Sequence, residues 1–185
     1  MDSDNRKTIE AYEAGVNAYN AAATPEVTGD SKEWIDAGLA LLPNAASILE
    51  LGSAHGRDAD YMEARGFNVD RTDAARGFVE YMRHKGHSAR ELNALTDNYG
   101  GPYHMVYANA VLLHFTEQQI EEVLTRVRQA LKDEGLFSFS VKIGDGSEWT
   151  ATKLGLPRYF SYWHEEQIRI LFDKARLKVI YWEEG

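Results

Sequence analysis

The sequence contains no cysteine, which excludes disulfide bonds, zinc sites with thiolate ligands and every mechanism that uses a cysteine nucleophile. It also lacks an apolar run approaching the ~18 residues of a membrane span, and its acidic start has no apolar segment like that of a secretion signal. We therefore expect a soluble, cytoplasmic protein that does not contact membranes. Net positive charge is lacking too. The formal net charge of −9 argues against general binding to nucleic-acid phosphates and favours a small partner.

The 185 residues, of which 44% are hydrophobic, suffice for one sizeable core rather than two full domains. Apolar residues spaced three and four apart predict helices over 6–19 and 34–42, and a short apolar run predicts a buried strand over 47–51. The later predicted helices cover 58–65, 74–85, 116–131 and 165–174, the last after a polar loop, and the later predicted strands cover 67–72, 88–93, 103–108, 136–143 and 177–182. This alternation predicts an α/β fold with a Rossmann-like, doubly wound, mostly parallel sheet flanked by helices in a single domain.

A turn of small residues, Gly52-Ser53-Ala54-His55-Gly56, follows the first predicted strand. Ligands of open α/β sheets bind beyond the carboxyl ends of the strands, where glycine lets the backbone approach them closely. Asp73 ends the second predicted strand roughly 20 residues later, where a carboxylate can accept both hydroxyls of a ribose. An ordinary strand-to-helix turn is the alternative, but the acid favours a nucleotide-like cofactor. A dinucleotide motif would need its third glycine at Arg57, so a nicotinamide cofactor is disfavoured.

Residues 48–58 resemble the first motif of class I S-adenosylmethionine-dependent methyltransferases, an acidic residue followed by G-x-G-x-G. The likeness extends over about 37–182, through stretches that are weak singly and strong in their order and spacing: 65–69 with Asp73, 103–115, 131–137 and 158–168. The sequence departs from the family at Ala54, which replaces the middle glycine, at His104, and at Asn93, where an acid often reads the adenine. The family's seventh, antiparallel strand is not evident. Either the sheet is smaller or the natural chain continues past Gly185.

The resemblance implies S-adenosylmethionine as cofactor, S-adenosylhomocysteine as product, and a methyltransferase core over 47–185 with an N-terminal helical cap over 1–46. Glu50 would organise the amino-acid end of the cofactor, and Asp73 would hold the ribose. Tyr19, together with Tyr12, either closes over the sulfonium by cation–π attraction or packs on the core. The implied cofactor-binding residues are Glu50, Gly52, Ser53, Ala54, Gly56, Arg57, Asp73, Ala74, Asn93, Ala94, Leu95, Ala108, Asn109 and Tyr19.

Methyl transfer from a sulfonium is an in-line displacement, so positioning the acceptor and excluding water can supply much of the catalysis. Where the acceptor must lose a proton, His114 is the candidate base, because imidazole titrates near neutrality; the alternative is that His114 braces its loop. The resemblance places Arg158, Tyr159 and Tyr162 beside the acceptor. Arg158 has the fork geometry to bind a carboxylate, and its alternative is an ion pair with a surface acid. No metal site is predicted.

The function predicted from the sequence is S-adenosylmethionine-dependent methylation of a small-molecule acceptor by a monomer or homodimer. Residues 109–112 lack the N-P-P-Y type sequence of enzymes that methylate planar amides and adenine amino groups, which disfavours a nucleic-acid acceptor. Two alternatives remain open. One is a non-catalytic cofactor-binding module with the same fold, and the other, disfavoured by Arg57, is a nicotinamide-dependent oxidoreductase.

Overall fold

The computed structural model describes residues 3–152 and 154–184. The helices are α1 (Ser3–Ala22), α2 (Gly29–Leu39), α3 (Arg57–Glu63), α4 (Arg76–His84), α5 (Glu117–Ala130) and α6 (Glu165–Lys174). The strands are β1 (Ser47–Glu50), β2 (Asn68–Asp73), β3 (Ala89–Glu91), β4 (Tyr103–Ala108), β5 (Leu131–Phe139), β6 (Ser147–Thr150) and β7 (Arg158–Ser161). Each predicted helix is present, and so is each predicted strand except the last. None of these helices is long and apolar enough to cross a membrane.

Strand β1 lies at the centre of a five-stranded sheet whose order is β3-β2-β1-β4-β5 and whose neighbouring strands are all parallel. The chain first builds outward from β1 through β2 and β3, and then returns to the other side of β1 with β4. In open α/β sheets this reversal forms a crevice at the carboxyl ends of the central strands, where ligands bind. The predicted Rossmann-like fold is therefore confirmed, and the crevice lies beyond Glu50 and Ala108.

Helices cover both faces of the sheet, and this explains why β1 is apolar on both sides. Ile48 and Leu49 are completely buried but belong to separate apolar clusters. Helix α2 adds Ile35 to the cluster of Ile48, and α5 adds Ile120 to the cluster of Leu49. Burial of one such side chain stabilises the fold by about 1.5–3 kcal/mol. Packing from both faces thus fixes β1 and, with it, the start of the turn that follows.

Helix α1 packs against β7 and α4 at the carboxyl edge of the sheet. Its most buried positions carry polar or small residues: Asn5, Thr8, Ala11 and Gly15. Glu13 Oε2 accepts a hydrogen bond of 2.9 Å from the N–H of Gly77, at the start of α4. Helix α2 lies within residues 1–46 but contributes directly to the apolar core. The division into a cap of residues 1–46 and a core of 47–185 stays a prediction.

The predicted strand over 177–182 is wrong, because these residues form no strand in the structure. Leu177, Val179 and Trp182 do pack, partly buried, against the main apolar cluster, which accounts for the apolar character of this segment. A strand also needs a neighbour with which to exchange backbone hydrogen bonds. Residues 177–184 instead line a cavity of about 2130 Å³ together with β5 and α2.

The polar loop predicted before α6 contains an antiparallel hairpin of β6 and β7. Trp149 and Tyr159 are direct partners in this hairpin, and their rings meet edge to face at 5.9 Å. Strand β7 begins with Arg158 and Tyr159. The hairpin therefore gives fixed positions to two side chains that the sequence placed in a loop.

Candidate active site

The turn after β1 contains three residues in a left-handed backbone conformation. Gly52, Ala54 and Gly56 have positive φ angles of 70°, 49° and 85°, which favour glycine. A Cβ on Gly52 would lie 2.7 Å from Val111 Cγ2, and a Cβ on Gly56 would lie 2.7 Å from Arg71 Nη1. The positive φ angles and these contacts thus favour glycine at both positions, independently of any ligand.

Hydrogen bonds fasten this turn to the end of β2. The N–H of Ser53 donates to the carbonyl oxygen of Thr72 at 2.7 Å, and Ser53 Oγ accepts from the N–H of Thr72 at 3.1 Å. Asp73 Oδ2 accepts from the N–H of Ala54 at 2.9 Å, and Asp73 Oδ1 accepts from the N–H of Ala75 at 2.8 Å. Burial outweighs these bonds and raises the pKa of Asp73 to about 6. Each carboxylate oxygen has a further lone pair, so Asp73 can still accept hydrogen bonds from a ribose.

Glu50 ends β1 with a carboxyl group that is only 2% exposed. Within the described part of the chain, its Oε2 has no hydrogen-bond partner. Burial, followed by the nearby carboxylate of Asp58, raises the pKa of Glu50 to about 8. Burying a polar oxygen without a partner costs free energy. Its position at the head of the crevice therefore indicates a ligand with a cationic or hydrogen-bond-donating group.

The predicted adenine side of the crevice is formed by Asn93, Ala94 and Leu95, all of which are buried. The side chain of Asn93 is already engaged: its Nδ2 donates to Asn5 Oδ1 at 2.8 Å, and its Oδ1 accepts from the N–H of Leu95 at 2.9 Å. The bond to Asn5 ties α1 to this end of the crevice. Direct reading of adenine by Asn93 stays a prediction.

Two small residues of the predicted set lie at the ends of neighbouring elements. Ala108 is the last residue of β4 and is completely buried, while Ala74 follows Asp73 and is half-buried. Neither side chain extends beyond its methyl group, so both positions leave space at the carboxyl edge of the sheet. Their contacts with a cofactor stay predictions.

A buried hydrogen-bond network joins the glycine turn to β4 and β5, and the sequence analysis missed its central residue, Asp58. Asp58 Oδ2 accepts from Tyr107 Oη and from Asn109 Nδ2, each at 2.9 Å, and Asp58 Oδ1 accepts from Arg57 Nε at 2.8 Å. Asn109 Oδ1 in turn accepts from Ser140 Oγ at 2.9 Å. The only signal in the sequence was an acid in the first turn of a helix, which is common in proteins. The network holds Arg57 and Asn109, both predicted cofactor contacts, in place.

Two tyrosines of α1 face the glycine turn and the start of α4. The ring of Tyr19 meets Phe78 edge to face at 5.3 Å and lies 6.1 Å from both Tyr12 and His55. Burial raises the pKa of Tyr19 to about 12, so its hydroxyl is protonated at neutral pH. These ring contacts agree with the alternative in which Tyr19 packs on the core. Closure over a sulfonium by Tyr19 stays a prediction.

His114, Tyr12 and Arg158 are distant in the sequence and meet beneath α1. His114 Nδ1 lies 2.7 Å from the carbonyl oxygen of Tyr159, which can only accept, so Nδ1 carries the proton. His114 Nε2 is then the acceptor for the hydroxyl of Tyr12, at 2.8 Å, and this hydroxyl accepts from Arg158 Nη1 at 3.1 Å. Burial lowers the pKa of His114 to about 4. The imidazole therefore braces its loop and is neutral, and its role as a base stays a prediction.

Of the predicted acceptor side, Arg158 joins this cluster through its side chain and Tyr159 through its backbone, while the Tyr159 ring packs on Trp149 and Tyr162 lies elsewhere. The N–H of Tyr159 donates to Thr8 Oγ1 of α1 at 3.2 Å. The hydroxyl of Tyr162 donates to exposed Glu148 at 2.6 Å, and Tyr162 lines the cavity beside β5. Arg158 forms no ion pair with any described residue, so the structure does not support the surface-acid alternative. Contact between Tyr162 and an acceptor stays a prediction.

One group of side chains has metal-ligand chemistry: Asp60, Glu63 and His87, whose potential ligand atoms lie within 4.8 Å of one another. Arg71, which is 1% exposed, places its Nη2 2.7 Å from both carboxylates. The guanidinium already balances the negative charge that would attract a cation. The group is better described as an ion-pair cluster that holds Arg71 beneath Gly56.

Known proteins share this architecture. A family model described as a methyltransferase domain matches residues 27–185, while a comparison with curated proteins finds no match. The DhpI-SAM-HEP complex has a TM-score of 0.73 at 14% identity, covering 95% of this chain and 91% of that chain. The CcbJ methyltransferase from Streptomyces caelestis has a TM-score of 0.69 at 16% identity, covering 98% and 90%. The 1,6-didemethyltoxoflavin-N1-methyltransferase of Burkholderia thailandensis, with bound 1,6-didemethyltoxoflavin and S-adenosylhomocysteine, has a TM-score of 0.67 at 18% identity, covering 92% and 75%.

These structural likenesses, all at low identity, concern the fold. The family match covers far more than half of the chain and includes the glycine turn, Glu50 and Asp73. The chain therefore belongs to this methyltransferase domain family, which confirms the predicted S-adenosylmethionine-dependent methyltransferase.

Proposed function

We propose that the chain transfers the methyl group of S-adenosylmethionine to a small-molecule acceptor in the crevice between the carboxyl ends of β1 and β4 and the overlying α1. The observation that carries the proposal is the buried, unpartnered Oε2 of Glu50 at the head of this crevice. A small acceptor is supported by the structural neighbour whose complex contains 1,6-didemethyltoxoflavin. A cytoplasmic location and a monomeric or homodimeric state remain predictions.

The residues at this edge fit the cofactor. Glu50 offers a carboxylate oxygen to the amino group of the cofactor, and Asp73 offers its remaining lone pairs to the ribose hydroxyls. Gly52 and Gly56 present backbone without side chains, so a ligand can approach closely. The other residues proposed to contact the cofactor are Ser53, Ala54, Arg57, Ala74, Asn93, Ala94, Leu95, Ala108, Asn109 and Tyr19.

When bound, S-adenosylmethionine supplies a methyl group on a positively charged sulfur. The side chains of this protein hold the acceptor in line with that group and keep water away, which is the main demand of an in-line displacement. Tyr12 and Phe78, whose ring centroids lie 6.4 Å apart, form an aromatic wall near Asp73. Where the acceptor must lose a proton, His114 Nε2 is the proposed base, reached through the Tyr12 hydroxyl. Because burial lowers the pKa of His114 to about 4, this base serves only an acceptor group that is itself acidic.

Calorimetric titration with S-adenosylhomocysteine, S-adenosylmethionine and NAD tests this proposal. We expect Asp73→Ala to weaken S-adenosylhomocysteine binding by about 10-fold or more, because a hydrogen bond to a charged group contributes about 1.5–3 kcal/mol. Glu80→Gln is the control, since Glu80 is a partly exposed acid of α4 paired with Arg76. Tighter binding of NAD than of S-adenosylhomocysteine would contradict the proposal. Cofactor binding without turnover over a broad acceptor panel would favour the non-catalytic module.

A further inference from the structure

Arg158 is a buried cation without an acidic partner in the described part of the chain. Arg158 is only 3% exposed, and its Nε has no hydrogen-bond partner among the described residues. Its one hydrogen bond runs from Nη1 to the hydroxyl of Tyr12, and its guanidinium also lies 5.2 Å from the ring of Tyr12 and 5.1 Å from the ring of Phe160. A guanidinium has five N–H donors and retains its charge at every physiological pH. Most of its donor capacity is therefore unused.

The rest of the fold shows that this arrangement is unusual for the protein. The chain has a formal net charge of −9, so acids are plentiful. Arg71, the other arginine with almost no exposure, is paired with both Asp60 and Glu63. An unpaired buried charge costs several kcal/mol. An anion from outside the chain would remove this cost at Arg158.

The surroundings of Arg158 add a second cation and, among the described residues, no ion-pair partner. Lys142 Nζ lies 4.5 Å from the centre of the Phe160 ring, so Phe160 has cations at both Lys142 and Arg158. His114 turns its protonated Nδ1 toward the Tyr159 carbonyl, and its Nε2 is taken by Tyr12. No described carboxylate forms an ion pair with Arg158. The cluster is thus an electropositive site inside an acidic protein, beside the crevice that holds Asp73.

We propose that the methyl acceptor carries an oxyanion, either a carboxylate or a phosphoryl group, and that Arg158 binds this group with support from Lys142 and Tyr12. The assignment of the oxyanion to the acceptor rests on the methyltransferase function proposed above. The aromatic rings of Tyr12 and Phe160 would contact the apolar part of the same molecule. The oxyanion would accept from Arg158 Nε, which has no partner among the described residues, while Nη1 keeps its hydrogen bond to Tyr12.

Matched probes test the inference: benzoate, phenylphosphonate and the neutral benzamide, titrated into the protein saturated with S-adenosylhomocysteine. We expect at least one anion to bind about 10-fold or more tighter than benzamide, because a charged hydrogen bond contributes about 1.5–3 kcal/mol. Arg158→Gln abolishes this preference, and Arg158→Lys retains part of it. The two anions distinguish a carboxylate site from a phosphoryl site.

Arg169→Gln is the matched control, since Arg169 is partly exposed on α6 and paired with Glu165. S-adenosylhomocysteine affinity, measured first for every variant, shows that the fold and cofactor site are intact. Equal binding of benzamide and both anions, undetectable binding of both anions, or an anion preference that survives in Arg158→Gln overturns the inference and leaves the proposed function standing. Failure of the wild-type protein to bind S-adenosylhomocysteine contradicts the proposed function instead.

Discussion

Replacing Glu50 with glutamine is expected to stabilise the ligand-free protein in alkaline solution much more than in acid. Burial raises the pKa of Glu50 from 4.5 to about 8, so the folded protein retains a proton that the unfolded chain releases. The stability contributed by the neutral carboxyl is therefore fully present below pH 4.5 and is lost as the pH rises through about 8. Glutamine stays neutral throughout this range and does not lose that contribution.

The size of the effect follows from the pKa difference. A change from 4.5 to about 8 corresponds to at most about 5 kcal/mol. Local relaxation reduces the penalty of a buried charge, so we expect a gain of about 2–4 kcal/mol for Glu50→Gln in alkaline solution relative to acid. The new amide group has a cost of its own, about 1–3 kcal/mol if its donors stay unpaired, but this cost is the same at both pH values.

Urea unfolding of the wild-type protein and Glu50→Gln at about pH 5 and about pH 8.5 measures this difference directly. Glu80→Gln, which changes a partly exposed acid of α4, is expected to show little dependence on pH. A difference between Glu50→Gln and the wild-type protein that is equal at both pH values would refute the reasoning. If the proposed pairing of its amino group with ionised Glu50 forms, saturating S-adenosylhomocysteine narrows the alkaline difference.

Two further predictions concern the glycine turn and its support. Ala54→Gly is expected to change the free energy of unfolding by less than about 1 kcal/mol and to preserve S-adenosylhomocysteine binding, since relief of the positive φ is offset by added flexibility of the unfolded chain. Ala54→Val, measured in parallel, is expected to lower both the free energy of unfolding and the affinity for S-adenosylhomocysteine. Equal behaviour of the two variants would contradict this account. Asp58→Ala is expected to lower the free energy of unfolding by about 2–4 kcal/mol, because Tyr107 and Asn109 lose their common acceptor. In denaturant unfolding, Tyr107→Phe is the milder comparison and should cost about 1 kcal/mol; an equal loss from both variants would show that Asp58 has no wider role.

The sequence was most informative where local pattern and function coincide. The apolar run of β1 and the small residues after it lie within one short segment, and Asp73 follows at the end of the next strand. Backbone contacts between neighbouring parallel strands then bring the turn and Asp73 together. Periodicity and spacing were therefore sufficient to predict the five parallel strands of the sheet and the position of Asp73 beside the turn.

Periodicity and spacing could not predict contacts between residues that are distant in the sequence. The partners of Asp58 are Tyr107 and Asn109, which lie on β4 and just after it, and those of His114 come from α1 and β7. The spacing of these residues in the sequence does not predict that they contact one another. Their contacts depend on how α1 and the β6–β7 hairpin pack on the sheet. Similarly, the apolar residues of 177–182 predicted a strand, but they contained no information about whether a neighbouring strand was present, and three of them pack on the main apolar cluster without forming one.

Two buried groups of the crevice region, the neutral carboxyl of Glu50 and the guanidinium of Arg158, form no ion pair with any described residue and constrain what the crevice binds. The fold pairs Arg71 with two acids, yet among residues 3–152 and 154–184 Glu50 Oε2 has no hydrogen-bond partner and Arg158 has no acidic partner. Glu50 is held at the end of β1, whereas Arg158 is held at the start of β7, and the structure forms no ion pair between them. Because the glycine turn is already ordered by its own contacts, little conformational entropy is lost there on binding. Affinity at this edge therefore depends on compensating these two groups, which favours a cationic group of the cofactor at Glu50 and an anionic group of the acceptor at Arg158.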